Sequence, residues 1–425
     1  MGFSFVHCSD IHLGKGEDER RVQDFIDSFE DIVKAAVDEK VDAFLIAGDL
    51  FDMKNISPPV MVETTDLVRH LVSNGIIPVL IEGNHDRMIN GSSSWSDYLS
   101  EVEGAITLKP SLSKANEVLF EEWSSEKKTG SYVNLKGYNI YGAGYPGFRY
   151  KKYFSSLRYY LEKTKNNILL LHAGCVRNEQ EYLHVLGAIP LEDLLPIFKE
   201  TVYTALGHIH SAYCVSERGD FYHPQEHMDI PLQFKAFNPG APETLNISEA
   251  NYKKGFFVVS FDDADNRKVE FRRSRRRSVV DLKIENQKHL LDRITMEIED
   301  SLKKFSLKNN PILRVNITGS GEVDQEAIKN FLEERFSPLR LEINDLTPFN
   351  LEREEMPSED ISVDDVEREV LKRLLRENSL ASQLYSFILD MKEGTIDIEH
   401  DEEIEGIVER LLVKGKDEDK EDIAE

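Results

Sequence analysis

Five short polar stretches bring together residues that could bind metal ions: Asp10-Ile-His12, Gly48-Asp49, Gly83-Asn84-His85-Asp86, His172 and Gly207-His208-Ile-His210. Together they offer imidazole nitrogens, carboxylate oxygens and a carboxamide oxygen, enough ligands for two ions. Mixed donors of this kind suit Mn, Fe or Zn better than Mg or Ca, whose sites are nearly all oxygen. Two such ions, roughly 3.5–4 Å apart, can stabilise both the attacking and the leaving oxygen of a phosphate ester and generate hydroxide near neutral pH. One carboxylate must bridge them. Asp49 is the candidate, because it ends an expected central strand and Gly48 lets the backbone come close.

Each stretch follows an apolar run that reads as a strand. Phe3, Phe5 and Val6 precede Asp10, and Ala43-Phe-Leu-Ile-Ala47 runs into Gly48-Asp49. Ile76-Ile-Pro-Val-Leu-Ile81 leads to Gly83-Asn84, Ile168-Leu-Leu-Leu171 to His172, and Val202-Tyr-Thr-Ala-Leu206 to Gly207-His208. Open α/β sheets carry their sites at the carboxyl ends of strands, so five such ends predict one site. Asp10 and His12, two apart on an extended chain, should point the same way.

The intervening segments read as helices. Val22–Val37 has apolar residues three and four apart; Pro58-Pro59 opens a second helix through Leu71, stopped by Asn74-Gly75. Short strands are expected near Ala105–Leu108, Val118–Trp123, Tyr138–Tyr141, Ala212–Val215 and Phe221–His223, and a strong one at Gly255–Phe261. The loop Phe237 to Thr244 should close towards the site, and His223 and His227 read as surface histidines. From Val279 to Leu346 a strand–helix–strand–helix–strand pattern follows, with no ligand-like residues at its strand ends.

The expected domains are 1–265 around the metal ligands, 266–346 as a small α/β cap, a linker at 347–360, three amphipathic helices in 361–413 and a disordered acidic tail at 414–425. The helices could form a private bundle or bury their apolar faces on a partner.

Net charge is −26, which argues against a nucleic-acid partner, since phosphate contacts dominate such binding. The distribution tempers this: from Leu351 onward there are 25 acids and 10 bases. The densest basic run, Arg267 to Arg277, contains Arg272, Arg273, Arg275, Arg276 and Arg277 and reads as a phosphate track in preference to a charged sheet edge. Arg149, after a turn-rich segment, is a further phosphate-contact candidate. Three cysteines, Cys8, Cys175 and Cys214, lack CxxC spacing and read as small core residues. No apolar run reaches the roughly 18 residues of a membrane span, and the first strand carries ligands, so no cleaved signal peptide is expected.

The strings Cys8-Ser-Asp-Ile-His-Leu-Gly14, Ala47-Gly-Asp-Leu-Phe-Asp52, Leu171-His-Ala-Gly174, Ala205-Leu-Gly-His-Ile-His210 and Asn238-Pro-Gly-Ala-Pro-Glu243 resemble the SbcD/Mre-eleven family of the calcineurin-like metallophosphoesterase superfamily. The resemblance implies an α/β fold: a β-sandwich flanked by helices, a small α/β capping domain and C-terminal partner-binding helices. It implies a Mn-dependent exonuclease and endonuclease that processes DNA ends in double-strand-break repair, cytoplasmic and nucleoid-associated, as a homodimer. Its partners would be duplex and single-stranded DNA ends and, through the C-terminal helices, an ABC-type coiled-coil ATPase of the SbcC/Rad-fifty kind, supplied in trans because this chain has no G-x-x-x-x-G-K-[ST] loop.

By the same resemblance Asp10, His12, Asp49 and His210 would hold one Mn ion, and Asp49, Asn84, His172 and His208 the other. His85 would face the phosphate as an acid for the leaving oxygen or a transition-state donor, with Asp86 orienting it. Many relatives carry a second histidine three residues after the bridging Asp; here the residue is Asp52, so exonuclease activity cannot depend on a histidine at this point. Two other readings share the site: a phosphatase or phosphodiesterase acting on another ester, and a homodimeric DNA-end clamp whose catalysis is secondary.

Overall fold

The structure is a computed structural model; it describes residues 2–347 except 17, 89–92, 114–116, 148–149, 178–186, 226–227 and 306. The linker, the three amphipathic helices, the acidic tail, Arg149 and His227 lie outside the described residues.

Two sheets face each other. The first has six strands in the order Arg267–Arg273, Gly255–Phe261, Phe3–Cys8, Ala43–Ala47, Ile77–Ile81, Ile106–Thr107. The last four of these run parallel, so their carboxyl ends share one edge, while Gly255–Phe261 pairs antiparallel with Phe3–Cys8. The second sheet has seven strands: Phe221–Tyr222, Tyr213–Ser216, Phe234–Asn238, Tyr203–Leu206, Asn167–Leu171, Tyr138–Gly144, Tyr132–Leu135. Its four strands from Phe234–Asn238 to Tyr138–Gly144 are again parallel.

The apolar runs are continuous because each strand is buried on both faces. Phe3, Phe5, Leu45, Ala47, Val79 and Ile81 meet Ile140, Ile168, Leu170, Tyr203 and Phe237 between the sheets. The alternate residues Val6, Cys8, Phe44, Ile46 and Leu80 pack outward against helices Glu19–Glu39 and Pro58–Ser73. Leu169, Leu171 and Leu206 do the same on the second sheet, under helices Tyr150–Leu161 and Leu191–Lys199. The result is a helix-flanked β-sandwich, the fold class expected. All three cysteines are buried and free.

Glu19–Glu39 buries Phe25, Phe29, Ile32, Val33 and Ala36, a stripe at helical spacing worth about 1.5–3 kcal/mol for each large apolar side chain. It begins a turn earlier than the apolar periodicity suggests, because Asp18 accepts a hydrogen bond from the Arg20 amide and caps a polar first turn.

A third sheet of three parallel strands, Arg277–Asn286, Leu307–Gly319 and Arg340–Asp345, carries helices Leu290–Leu302 and Gln325–Phe336. It has its own core, including Ile284, Ile294, Ile298, Val315, Ile317 and Leu332. This sheet starts at Arg277. The boundary drawn at 265/266 falls inside a hairpin of the first sheet, where Arg267–Arg273 pairs with Gly255–Phe261 along its whole length.

Candidate metal centre

The carboxyl ends of Phe3–Cys8, Ala43–Ala47 and Ile77–Ile81 meet those of Asn167–Leu171 and Tyr203–Leu206 at one edge of the sandwich. All five stretches arrive there. The first two loops run side by side, the Asp10 amide donating to Gly48 O at 3.1 Å and the His12 amide to Asp49 O at 3.1 Å. The extended conformation expected for Asp10 and His12 is not what the chain adopts. Their φ angles are 54° and 52°, that of Asp49 is 48° and that of His208 is 83°. Left-handed backbone at four non-glycine residues turns each side chain back towards the centre, a strained arrangement of the kind found at functional sites.

The donor atoms converge. Side chains of Asp10, His12 and His210 lie within 4.8 Å of one another, as do those of Asp10, Asp49 and His172. Asp49 Oδ2 reaches both sides, 3.8 Å from His12 Nε2 and 3.2 Å from His172 Nε2. Asn84 Oδ1 lies 3.2 Å from His172 Nε2 and 3.0 Å from His208 Nδ1. Ligands each about 2.1 Å from a shared ion stand about 3–4 Å apart. Close approach needs glycine at two points: a Cβ on Gly83 would lie 2.0 Å from Asp49 Oδ1, and one on Gly48 2.3 Å from His172 Nδ1.

The ring nitrogens facing away are tied back. Nδ1–H of His12 donates to Asp52 Oδ1 at 3.1 Å, that of His172 to Ala47 O at 2.8 Å, and that of His210 to Glu249 Oε1 at 2.8 Å. Carbonyls and carboxylates only accept, so these bonds place the lone pair on each Nε2, the arrangement metal-binding histidines show. His12 Nε2 is buried without any hydrogen-bond partner. Asn84 Oδ1, Asp49 Oδ2 and a neutral His172 Nε2 are then three acceptors with no hydrogen among them, held together only by a proton or a cation. Burial works to lower His172, but the charges of Asp49 and Asp10 push it up to about 9, so the pocket favours positive charge at this nitrogen. The donor set therefore fits a divalent cation.

His85 stands apart. It is exposed, its Nδ1–H donates to Asp52 O at 2.9 Å, and its amide donates to Asp49 Oδ1 at 2.9 Å. Its Nε2 is left outward beside the His12 ring, 4.8 Å between centroids. The orienting role expected of Asp86 is not borne by it. One oxygen of Asp86 accepts from the Leu50 amide at 2.8 Å and the other from the Gly83 amide at 2.8 Å, so it joins two ligand loops. Burial, then the nearby charge of Asp49, pushes Asp86 up to about 7. Asp52 takes the role instead, holding His12 with its side chain and His85 with its carbonyl, while Lys15 Nζ lies 3.3 Å from its carboxylate.

Sequence reasoning missed Glu249, Lys254 and Asn238. Asn238 Nδ2 donates to Ile209 O at 2.6 Å and Ser211 O at 2.9 Å, fixing the His208–His210 loop. The string Asn238-Pro-Gly-Ala-Pro-Glu243 and the expectation that the Phe237–Thr244 loop closes on the site pointed towards Asn238 without giving it a role.

The arginine run is not an open track. Arg277 Nε and Nη2 clasp Asp24 at 2.5 and 2.8 Å, and its Nη1 donates to Asn310 O at 2.9 Å. Arg276 donates to Thr244 Oγ1 and Tyr252 O and lies over the Phe305 ring. Arg272 pairs with Glu39 and Glu270, and Arg267 donates to Val202 O, Leu232 O and Phe234 O. Arg273 and Arg275 are exposed.

A model of the calcineurin-like phosphoesterase domain matches residues 3–212. Three similar proteins are each named DNA double-strand break repair protein Mre11. That of Methanosarcina mazei is 38% identical over 99 residues, 23% of this chain and 16% of that protein. That of Sulfolobus acidocaldarius is 24% identical over 347 residues, 77% of this chain and 78% of that one. That of Sulfurisphaera tokodaii is 30% identical over 216 residues, 48% of each. A helix-flanked sandwich whose strand ends gather a cation-fitting donor set accompanies these matches: residues 3–212 are similar to the calcineurin-like phosphoesterase domain, and the chain is similar to the Mre11 proteins named above, spanning 16% of the first and about half or more of the other two.

Proposed function

We propose that the chain is a Mn-dependent DNA nuclease, exonuclease and endonuclease both, that processes DNA ends in double-strand-break repair. One observation carries the reading: inward nitrogens and carboxylates from two sheets meet at a point where His85, held from behind, presents a free Nε2 to solvent. Two Mn ions would be held by Asp10, His12, Asp49 and His210 on one side and by Asp49, Asn84, His172 and His208 on the other. When bound, they would neutralise phosphate oxygens and acidify an attacking water.

The rest of the work falls to the chain. Asp52 O keeps Nδ1 of His85 a donor, so Nε2 carries a proton only in the imidazolium form; from that form it would protonate the leaving oxygen and return to the neutral ring, with the hydrogen still on Nδ1. Asp49 grips the His85 amide, so the ring is located relative to the ligands. A cleft of about 700 Å³ between the sandwich and the three-stranded unit is lined by Lys15, Arg21, Arg314 and Arg340 together with Asp18 and Glu342. Its bases are paired with carboxylates, and the three-stranded unit reads as a cap by its position beside this cleft. Partners in this reading are duplex and single-stranded DNA ends, a second copy of the chain, and an ABC-type coiled-coil ATPase docked on the C-terminal helices.

A phosphatase or phosphodiesterase acting on a small ester is the second reading. It is favoured by the arginine run, most of which serves the fold and not a DNA track. End-labelled linear duplex DNA incubated with Mn, Mg or no metal, beside a small phosphodiester, tests both. Mn-dependent DNA loss that disappears in His85→Ser supports the nuclease; hydrolysis of the ester with DNA intact supports the alternative.

A further inference from the structure

A buried ion pair lies directly behind His210. Glu249 accepts the His210 Nδ1–H at Oε1, 2.8 Å away, and Lys254 Nζ at Oε2, 2.7 Å away. Lys254 Nζ also lies 3.3 Å from His210 O, and the Leu245 amide donates to Glu249 Oε2 at 3.2 Å. Lys254 is 2% exposed and Glu249 8%. Withdrawing an ammonium and a carboxylate from water is expensive, and apolar residues often replace such pairs without loss of stability. A pair that instead grips both the ring and the carbonyl of one residue has a use at that residue.

We propose that Glu249 is a positioning residue for cation binding at His210 and that Lys254 holds Glu249 in register. The inference rests on the reading of this centre as a metal site. A neutral imidazole can place its hydrogen on either nitrogen; the bond to Glu249 keeps it on Nδ1 and leaves the Nε2 lone pair for the ion. The carboxylate also makes the ring a better base. Lys254 bonds to Glu249 Oε2 and to His210 O, so carboxylate, ring and loop turn as one body. His12, whose ring is 5.3 Å from that of His210, has Asp52 in the same relation. Two ligands of one expected ion therefore each have a carboxylate behind them.

The test is calorimetric titration of Mn2+ into the metal-free full-length protein: wild type, His210→Ala, Glu249→Ala, Glu249→Gln, Lys254→Met, and His210→Ala with Glu249→Ala. Glu249→Ala should weaken one class of Mn2+ binding by about 10–100-fold, the class that His210→Ala weakens, and leave the other unchanged. The double variant should bind no more weakly than His210→Ala alone, and Glu249→Gln, which keeps an acceptor oxygen, should recover part of the loss. Should Glu249→Ala fail to fold, Glu249→Gln and Lys254→Met carry the comparison, with a loss of about tenfold expected for the latter. Wild-type affinity in Glu249→Ala, or losses that multiply in the double variant, overturns the proposal. Absence of Mn2+ binding in wild type overturns the metal-centre reading itself.

Discussion

His85→Ser separates chemistry from metal binding. The ring is exposed and carries a single side-chain hydrogen bond, from Nδ1–H to Asp52 O at 2.9 Å. Its removal takes one hydrogen-bond partner from Asp52 O and should shift stability by about 1 kcal/mol. A positioned general acid contributes about 10²–10⁴-fold, or about 3–5 kcal/mol of barrier at 1.36 kcal/mol per tenfold. Cleavage of end-labelled duplex should therefore fall by about that factor in saturating Mn2+, with calorimetric Mn2+ affinity unchanged. His12→Ala is the control. Its Nε2 is buried and aimed inward without a partner, so this variant should lose Mn2+ affinity as well as cleavage. Equal loss of metal in both variants would show that His85 is a ligand.

Metal-free protein should lose stability from pH 6.5 towards 9. His172 is raised from 6.5 to about 9, so its contribution is complete below 6.5 and is lost as the folded form deprotonates; urea unfolding in EDTA measures this, and saturating Mn2+, which replaces the proton, should flatten the slope. On the acid side, the His210 and Lys254 contacts overcome burial and hold Glu249 down at about 2 against an ordinary 4.5. Its contribution is present above 4.5 and lost towards 2, and Glu249→Gln should flatten that limb of the unfolding curve. Arg277→Gln removes two charged hydrogen bonds from buried Asp24, which keeps its pairing with Arg21 at 2.7 Å, and should destabilise by about 1.5–3 kcal/mol in urea unfolding, whereas Arg275→Gln, whose side chain is exposed, should change stability by under about 0.5 kcal/mol. If a basic contact to DNA persists in this run it lies at Arg273 and Arg275; replacing both by Gln should reduce the salt dependence of duplex binding, and an unchanged slope removes the run from the interface.

The strand ends were legible because each buried strand is apolar on both faces and stops where the polar residues begin, as at Leu45-Ile-Ala47 before Gly48-Asp49. Which faces meet was not, since Phe5 and Val6 are equally apolar and only the second sheet decides between them. The ligand types were readable, but their backbone was not: an Asp-x-His spacing fits an extended chain as well as the left-handed turn observed. Residues that hold the ligands from behind were hidden by distance along the chain. Glu249 lies 39 residues from His210, and Asp24 253 residues from Arg277. A run of arginines looks the same in sequence whether its partners are phosphates or the protein's own Asp24, Glu39 and main-chain oxygens.

The left-handed backbone at Asp10, His12, Asp49 and His208 sets the fold's stability against its site. Each such residue costs about 1 kcal/mol relative to a relaxed conformation, a cost that glycine at the same position would not incur. Mutation to glycine at these places would abolish the site and, in the absence of metal, relieve the backbone. The relief is offset where the side chain is itself a partner, as Asp10 is to the His208 amide and Asp49 to the His85 amide, so the ligand loops hold their shape through the same side chains that strain them.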